Sequence, residues 1–187
     1  MNMSEVVNRS RLVHDEATVR TAIDQLALRL DLALRFHNPL LICVLQGGVY
    51  LAGQLLARLR FPLQQATVQV TRYGDSTTPG ELRWLSPLSM EVRDRSVLLV
   101  DDVFDRGLTL SLLHDHLLTA GARQIVSAVI VRKDVEHQTT YRPDYIALEC
   151  GADYLFGCGM DYHGYWRNLP EIRALPDDLM DDLKDAQ

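Results

Sequence analysis

The amino-acid sequence predicts an α/β fold with a mainly parallel, twisted sheet flanked by helices. Short apolar runs of strand length alternate along the chain with longer stretches in which apolar residues recur at helical spacing. This alternation is typical of strand-helix-strand units, whose consecutive strands are parallel. Because 47% of the 187 residues are hydrophobic, the chain can bury a substantial core. We therefore predict one domain over residues 1–187.

The first predicted helix covers residues 16–36 and ends at the His-Asn-Pro of residues 37–39. Residues 40–45 form a short apolar strand. A Gln-Gly-Gly turn follows at residues 46–48, and a second helical pattern covers residues 49–60. These elements begin the alternation of strands and helices.

The later elements continue the alternation. Residues 66–73 alternate like a strand, and residues 97–100 form an apolar strand before a helix over residues 108–120. Residues 124–131 form a further strand, and residues 145–169 are predicted to add short strands and loops to the same sheet. Ligands of such a sheet bind beyond the carboxyl ends of its strands.

The cysteines and the amino terminus bear on the compartment. Cys43, Cys150 and Cys158 are odd in number and scattered, which fits neither a disulfide framework nor a zinc site and favours reduced thiols. No apolar run reaches the length of a bilayer span, and residues 1–15 lack the apolar centre of a signal peptide. The sequence therefore predicts a cytoplasmic protein without a membrane segment.

The charge balance disfavours nucleic acid as a partner. The net charge is −6, from 19 basic and 25 acidic residues, and no run of five basic residues occurs. Much of the acidic excess lies in residues 176–182, which we interpret as a solvated end.

Residues 97–110 carry the clearest functional signal. Four apolar residues precede Asp101 and Asp102, and Asp105 and Gly107 lead into a helical pattern. A glycine turn at a helix N-terminus presents backbone N–H groups that bind phosphate. The adjacent acids suit sugar hydroxyls or a metal-bound polyphosphate, so the segment predicts a sugar phosphate ligand. The alternative is an ordinary strand-loop-helix connection with acids at a solvated strand end.

This segment resembles the phosphoribosyl pyrophosphate signature of the type I phosphoribosyltransferases. That signature has two acids, two hydrophobic residues, Asp-Thr-Gly and a Thr. The matching positions are Asp101, Asp102, Asp105, Gly107 and Thr109. Arg106 stands where the family usually has Thr. The resemblance implies the type I fold, with a small hood built from the terminal segments.

Further segments resemble the hypoxanthine-guanine phosphoribosyltransferases. Residues 44–48 resemble their pyrophosphate loop, which commonly reads Leu-Lys-Gly, and residues 128–145 resemble the stretch with the purine-contacting Lys. Residues 154–162 resemble the base-binding segment, and residues 165–167 end at the position of a pyrophosphate-contacting Arg. The segments occur in the family's order.

The resemblance implies roles for the signature residues. Asp101 and Asp102 are assigned to the ribose hydroxyls; adjacent strand residues point to opposite sides, so we expect only one to contact the substrate fully. Asp105 is assigned as the general base for the incoming purine, with a helix N-cap as its alternative role. The 5-phosphate is assigned to the backbone N–H groups of Arg106, Gly107, Leu108 and Thr109 and to the Thr109 hydroxyl.

The resemblance implies that three residues contact the purine base. Lys133 is matched to the cation that contacts the exocyclic oxygen of 6-oxopurines, although Arg132 is one step away and a surface Lys is the alternative. Tyr154 is matched to the aromatic that stacks on the purine, beside Leu155, and its alternative is a core aromatic in a strand. Adenine offers an amino group where Lys133 needs an oxygen.

The leaving group and the metal are assigned to a third set. Gln46, Gly47 and Arg167 are matched to pyrophosphate-contacting positions, and Asp161 with Asp101 to the Mg²⁺ end. Gln46 replaces the frequent Lys of the pyrophosphate loop, and in this family the preceding peptide, Leu45–Gln46 here, can be cis.

The lid differs from the family as well. Arg72 and Tyr73 stand where a Ser-Tyr pair usually begins the mobile lid. Residues 74–81 are polar, with Gly, Ser, Thr and Pro, a composition that predicts a mobile loop.

The resemblance implies a magnesium-dependent enzyme of purine salvage. It would convert hypoxanthine or guanine and phosphoribosyl pyrophosphate to IMP or GMP and pyrophosphate. Two alternatives are a transferase that prefers xanthine and a nucleotide-binding regulator on the same fold, although Asp105 argues against loss of catalysis. A homo-oligomer, dimer or tetramer, is expected from relatives.

Overall fold

Four helices and nine strands make up the part of the chain that the structure, a computed structural model, describes: residues 3–72, 82–176 and 179. The helices are α1 (Met3–Arg9), α2 (Glu16–Leu34), α3 (Val49–Leu56) and α4 (Leu108–Thr119). The strands are β1 (Arg11–His14), β2 (Leu40–Leu45), β3 (Gln64–Arg72), β4 (Leu82–Ser86), β5 (Ser96–Phe104), β6 (Gln124–Lys133), β7 (Tyr145–Cys150), β8 (Leu155–Phe156) and β9 (Ile172–Ala174).

A six-stranded sheet in the order β4-β3-β2-β5-β6-β7 forms the centre of the fold. The strands β3, β2, β5, β6 and β7 are parallel, and only the edge strand β4 runs antiparallel to its neighbour. The predicted α/β fold with a mainly parallel sheet is thus confirmed.

Helices cover both faces of this sheet. Leu41 and Cys43 of β2 point into the core shared with α2 and α3, whereas Leu40 and Ile42 point into the core shared with α4. Burial on both faces explains why the central strands read as continuous apolar runs. No helix within the described residues is long and apolar enough to cross a bilayer.

Several predicted boundaries shift. The helix α2 begins after Asp15, whose carboxylate accepts from the N–H of Thr18 at 2.8 Å, but it ends at Leu34 rather than at residue 36. The helix α3 ends at Leu56 rather than at residue 60, because a turn at residues 57–58 follows it. Pairing with β6 extends β5 to Phe104, past residue 100. The strand β4 was not predicted.

A second, three-stranded sheet in the order β1-β9-β8 unites the two ends of the chain. The helix α1 packs Val6 against Phe156 and Tyr162 beneath it. This sheet confirms the predicted hood. It also corrects the placement of residues 145–169, because β7 joins the main sheet whereas β8 joins the hood.

The described part of the acidic end is not wholly solvated. Of the predicted solvated residues 176–182, the structure describes 176 and 179, and Leu179 is only 4% exposed within the hood. The cysteines agree with prediction: Cys43, Cys150 and Cys158 are free and buried. Burial raises the pKa of the Cys43 and Cys150 thiols to about 11 and that of Cys158 to about 12.

Candidate active site

The carboxyl ends of β2, β5 and β6 meet at one edge of the main sheet. At this edge lie Gln46 and Gly47 after β2, the acids of β5, and Lys133 at the end of β6. Parallel pairing thus brings together residues that the sequence separates by up to 87 positions, from Gln46 to Lys133 (133 − 46).

Asp101 and Asp102 lie within β5 and are only 8% and 9% exposed. Burial raises the pKa of Asp101 well above its usual range, and the charge of Asp102 adds to the rise. Burial also raises the pKa of Asp102, against the N–H of Val103, which donates at 2.6 Å, and the charge of Arg167. Both acids line the same cavity; which of them contacts a substrate fully stays a prediction.

Residues 105–107, which connect β5 to α4, and the first two residues of α4 together form what we call the phosphate loop, residues 105–109; it lines a cavity of about 520 Å³ together with the two acids. Gly107 caps α4 with a φ of 85°, a left-handed conformation that favours glycine. Because the cap is Gly107 and no side chain caps the helix, the alternative role of Asp105 as an N-cap is wrong. Thr109 lies in the first turn of α4 and lines the same cavity.

Arg106 is exposed and borders the same cavity. Among the described residues it forms no ion pair, whereas the nearby cations Lys133 and Arg167 pair with Asp105, Asp102 and Asp161. Arg106 therefore pairs with neither Asp102 nor Asp105 in this structure.

A second, smaller cavity of about 160 Å³ adjoins the first. Its predicted members are Asp102, Asp105, Lys133, Tyr154, Leu155 and Asp161. Val103 and Met160 also line it and were missed by sequence reasoning. Val103 follows the two acids directly, and Met160 lies within residues 154–162, which resemble the base-binding segment, so the available signal for each was its position in a resembling segment.

Lys133 is only 13% exposed, so its alternative as a surface residue is wrong. Its Nζ lies 3.8 Å from Oδ2 of Asp105, which lines both cavities. Arg132 instead pairs with Glu149 of β7 at 2.5 Å. The alternation of the strand thus directs Lys133, and not Arg132, towards the second cavity.

Tyr154 lies just before β8 and not within a strand; it lines the second cavity and also packs against the core of the hood, so its two predicted roles coexist. Its hydroxyl donates to the carbonyl oxygen of Asp161 at 2.9 Å. Burial raises the pKa of Tyr154, which keeps the hydroxyl protonated as a donor.

Arg167 joins the acids of two segments. It lies 2.6 Å from Asp161 Oδ1 and 4.0 Å from Asp102 Oδ2, and it donates to the carbonyl oxygen of Gly159 at 2.6 Å. Its Nε is buried and has no partner among the described residues. The guanidinium of Arg167 is thus held beside the carboxylates of Asp102 and Asp161. We call this part of the site the Arg167 end.

The loop after β2 lies against these acids. The Leu45–Gln46 peptide is cis, a state that the resemblance had left open. A Cβ on Gly47 would lie 1.9 Å from Asp102 Oδ2, so only glycine fits there without displacing the carboxylate. Of the two lid positions, Arg72 ends β3, and Tyr73, like residues 74–81, lies outside the described residues.

Comparison with known proteins assigns the fold to a family. Residues 13–163 match the phosphoribosyl transferase domain. The chain belongs to the phosphoribosyl transferase family. The matched stretch begins in β1 and includes both acids of β5, the phosphate loop and Asp161, whereas Arg167 lies beyond it.

Individual phosphoribosyltransferases match over most of their length. The hypoxanthine-guanine phosphoribosyltransferase of Aquifex aeolicus is 28% identical over 89% of this chain and 95% of its own. The hypoxanthine-guanine-xanthine phosphoribosyltransferase of Tritrichomonas foetus is 29% identical over 90% of this chain and 93% of its own. The hypoxanthine phosphoribosyltransferase of Trypanosoma cruzi, solved in complex with the product IMP, is 25% identical with a TM-score of 0.82, over 91% and 96% of the two chains.

The donor set of this phosphoribosyltransferase fits magnesium bound together with a substrate. The described residues contain no group of three or more His, Cys, Asp or Glu side chains placed to hold a metal. Mg²⁺ is usually bound by one or two carboxylates plus substrate phosphates. The buried carboxylates at the Arg167 end of the site suit that mode.

The raised pKa of Asp101 leads to a prediction about the thermal stability of the protein. A raised pKa means that folded Asp101 keeps its proton at a pH where the unfolded chain has lost it. Stability therefore falls as pH rises from the usual Asp range to the raised pKa, and stays lower above it. We expect Asp101→Asn, which keeps the oxygen that accepts from Asp102 at 2.9 Å, to raise Tm at pH 7 by about 2–4 °C per 1 kcal/mol of relief.

Thermal unfolding in metal-free buffer at pH 5 and pH 7 measures this effect. The exposed Asp115 provides the control as Asp115→Asn. A Tm of Asp101→Asn equal to or below that of the parent at pH 7 contradicts the account.

Proposed function

We propose that this phosphoribosyltransferase is a magnesium-dependent enzyme of purine salvage. It transfers the phosphoribosyl group of phosphoribosyl pyrophosphate to hypoxanthine or guanine, giving IMP or GMP and pyrophosphate. The observation that carries the proposal is the position of Asp105, which lines both cavities and lies 3.8 Å from the ammonium of Lys133, whose side chain is 13% exposed. The names of the relatives support the choice of bases.

The larger cavity suits the sugar phosphate. The N–H groups of Arg106, Gly107, Leu108 and Thr109, with the Thr109 hydroxyl, would bind the 5-phosphate at the N-terminus of α4. Asp101 and Asp102 would accept hydrogen bonds from the two ribose hydroxyls.

The Arg167 end of the site suits pyrophosphate. Gln46 and Gly47 would hold it through the loop after β2, and Arg167 would supply the cation that Gln46 does not. Asp161 and Asp101 would hold Mg²⁺, and the bound ion would supply positive charge against the charge that develops on the leaving pyrophosphate.

The smaller cavity suits a 6-oxopurine. Lys133 would donate to the exocyclic oxygen, which adenine lacks. Tyr154 and Leu155 would contact the ring, and Val103 completes the apolar lining. A charged donor with 13% exposure strongly favours an oxygen acceptor over an amino group.

The reaction needs one proton acceptor at the junction of the cavities. A bond forms between a purine nitrogen and the anomeric carbon, while the bond from that carbon to a pyrophosphate oxygen breaks. The electron pair of the broken bond leaves with pyrophosphate, and Asp105 accepts the proton from the purine nitrogen. Arg167 stabilises the negative charge on the leaving group.

A competition assay tests the choice of bases. Equimolar hypoxanthine, guanine and xanthine are incubated with the enzyme, phosphoribosyl pyrophosphate and Mg²⁺, and the three monophosphates are quantified. We expect IMP and GMP to predominate. Predominant xanthosine monophosphate would favour the xanthine-preferring alternative, and no nucleotide at all would favour a binding protein.

The position of Arg106 at the N-terminus of α4 leads to a prediction about binding of the 5-phosphate. A cation beside a helix N-terminus costs about 0.3–1 kcal/mol, but a bound phosphate dianion reverses the sign and makes Arg106 a clamp. We expect Arg106→Thr to weaken binding of phosphoribosyl pyrophosphate and to make it less dependent on salt, with a smaller change in the KM of the purine.

Titration with phosphoribosyl pyrophosphate at low and high salt measures this effect. The exposed Arg60, which lines neither cavity, provides the control as Arg60→Thr. Equal affinities of parent and Arg106→Thr at both salt concentrations mean that Arg106 only points to solvent.

Assembly and compartment complete the proposal. Leu28, Leu32 and Phe36 form an exposed apolar stripe at helical spacing on and just after α2, which supports a homo-oligomer of two or four chains. The free cysteines support the cytoplasm. Light scattering after gel filtration measures the mass of the assembly.

A further inference from the structure

The phosphate loop, residues 105–109, is held from outside by a short segment that we call the clasp, residues 137–139. The clasp begins four residues after Lys133, the last residue of β6. His137 Nδ1 lies 2.7 Å from the carbonyl oxygen of Asp105. The N–H of Gln138 donates to the carbonyl oxygen of Arg106 at 2.9 Å. Two consecutive clasp residues thus hold two consecutive peptides of the loop.

The third clasp residue packs where the loop enters α4. A Cβ on Gly107 would lie 2.6 Å from Cγ2 of Thr139, so the methyl group lies directly against the glycine. The Thr139 hydroxyl donates to Ser111 Oγ at 3.1 Å, in the first turn of α4. The clasp therefore contacts the chain from Asp105, at the start of the phosphate loop, to the first turn of α4.

The His137 ring has one orientation and one tautomer in this contact. A carbonyl oxygen only accepts, so Nδ1 carries the proton and donates to Asp105. The centroid of the ring lies 4.9 Å from that of Phe104, the last residue of β5. Packing against β5 thus fixes the donor relative to the sheet.

A hydrogen bond that orients the carbonyl group of a peptide also orients the N–H group of the same peptide. In a planar trans peptide, the carbonyl of one residue and the N–H of the next point in opposite directions. His137, by holding the carbonyl of Asp105, turns the N–H of Arg106 away from the clasp, and Gln138 does the same for the N–H of Gly107. Neither N–H donates to a protein acceptor in the described part of the chain.

We propose that His137 is a positioning residue for the 5-phosphate, and this inference rests on the proposed function. It acts through the peptide between Asp105 and Arg106, which it orients so that the N–H meets the phosphate. His137 itself lines neither of the two cavities described above, but a third one of about 580 Å³ that Asp105 also lines. Its effect on the substrate therefore passes through the backbone of the loop.

Binding of the two ends of the substrate, each as a separate ligand, tests this role. The dissociation constants of ribose 5-phosphate and of pyrophosphate with Mg²⁺ are measured calorimetrically. We expect His137→Ala to weaken ribose 5-phosphate by about two- to ten-fold, the range for one lost hydrogen bond. Pyrophosphate binding is expected to stay unchanged, because Gln46, Gly47 and Arg167 belong to other segments.

Two further variants separate positioning from stability. His137→Asn keeps an N–H donor near the place of Nδ1 and is expected to restore ribose 5-phosphate binding to within about two-fold of the parent. His37→Ala removes an exposed histidine just after α2 and is expected to change neither ligand.

Equal affinity of the parent and His137→Ala for ribose 5-phosphate overturns the proposal. An equal loss for both ligands also overturns it, because that result means a general loosening of the site. Neither titration requires turnover. If the parent binds ribose 5-phosphate but forms no nucleotide, the proposed function fails while the role of His137 is still decided.

Discussion

Asp105→Asn is expected to lower kcat by about ten- to ten-thousand-fold, the range for removing a general base. The substitution keeps the size and one oxygen of the side chain but removes its capacity to accept a proton. Asp105 lines both cavities 3.8 Å from Lys133, whereas Asp102, which also lines both, lies beside Arg167 instead. Steady-state kinetics with hypoxanthine measures kcat, and direct titration shows that phosphoribosyl pyrophosphate still binds.

Asp115→Asn is the matched control, since Asp115 lies on α4 with its side chain 71% exposed. We expect it to retain the kcat of the parent. Near-normal turnover of Asp105→Asn removes Asp105 from the role of base. Loss of phosphoribosyl pyrophosphate binding in the same variant assigns Asp105 to the sugar phosphate instead.

Lys133→Met is expected to lower kcat/KM for hypoxanthine by about five- to 150-fold. The base oxygen loses a charged donor in a cavity of about 160 Å³, at a cost of about 1 to 3 kcal/mol. Any turnover of adenine is not expected to fall in proportion, because adenine offers no oxygen at this position. Specificity constants for hypoxanthine, guanine and adenine measure the effect.

Arg132→Met is the control for Lys133→Met, because it changes the neighbouring cation, which pairs with Glu149. It is expected to leave all three specificity constants close to those of the parent. If kcat/KM of Lys133→Met for hypoxanthine equals that of the parent, the ammonium of Lys133 does not contact the base.

The phosphate loop was predictable because it is local. Residues 97–110 contain the strand, the acids, the glycine turn and the helix start in one run, so chain order alone determines their proximity. The choice of Lys133 over Arg132 needed the resemblance. The structure supports it through strand alternation, which places Arg132 beside Glu149 and Lys133 in the second cavity.

The clasp and the hood were not predictable in the same way. His137 is a half-buried histidine in a polar stretch, and its contact with Asp105 spans 32 residues of sequence. The strands β1, β8 and β9 have four, two and three residues, too few for a periodic pattern to mark them. Their pairing depends on contacts between the two ends of the chain, which local patterns do not report.

Nucleotide formation by the unmodified protein tests the central claim most directly. The protein is incubated with hypoxanthine, phosphoribosyl pyrophosphate and Mg²⁺, and the products are separated and quantified, with guanine and adenine in parallel. We expect IMP and pyrophosphate in equal amounts, GMP from guanine, and little or no product from adenine. If neither hypoxanthine nor guanine gives a nucleotide while phosphoribosyl pyrophosphate binds, the account of this site as a purine phosphoribosyltransferase is contradicted.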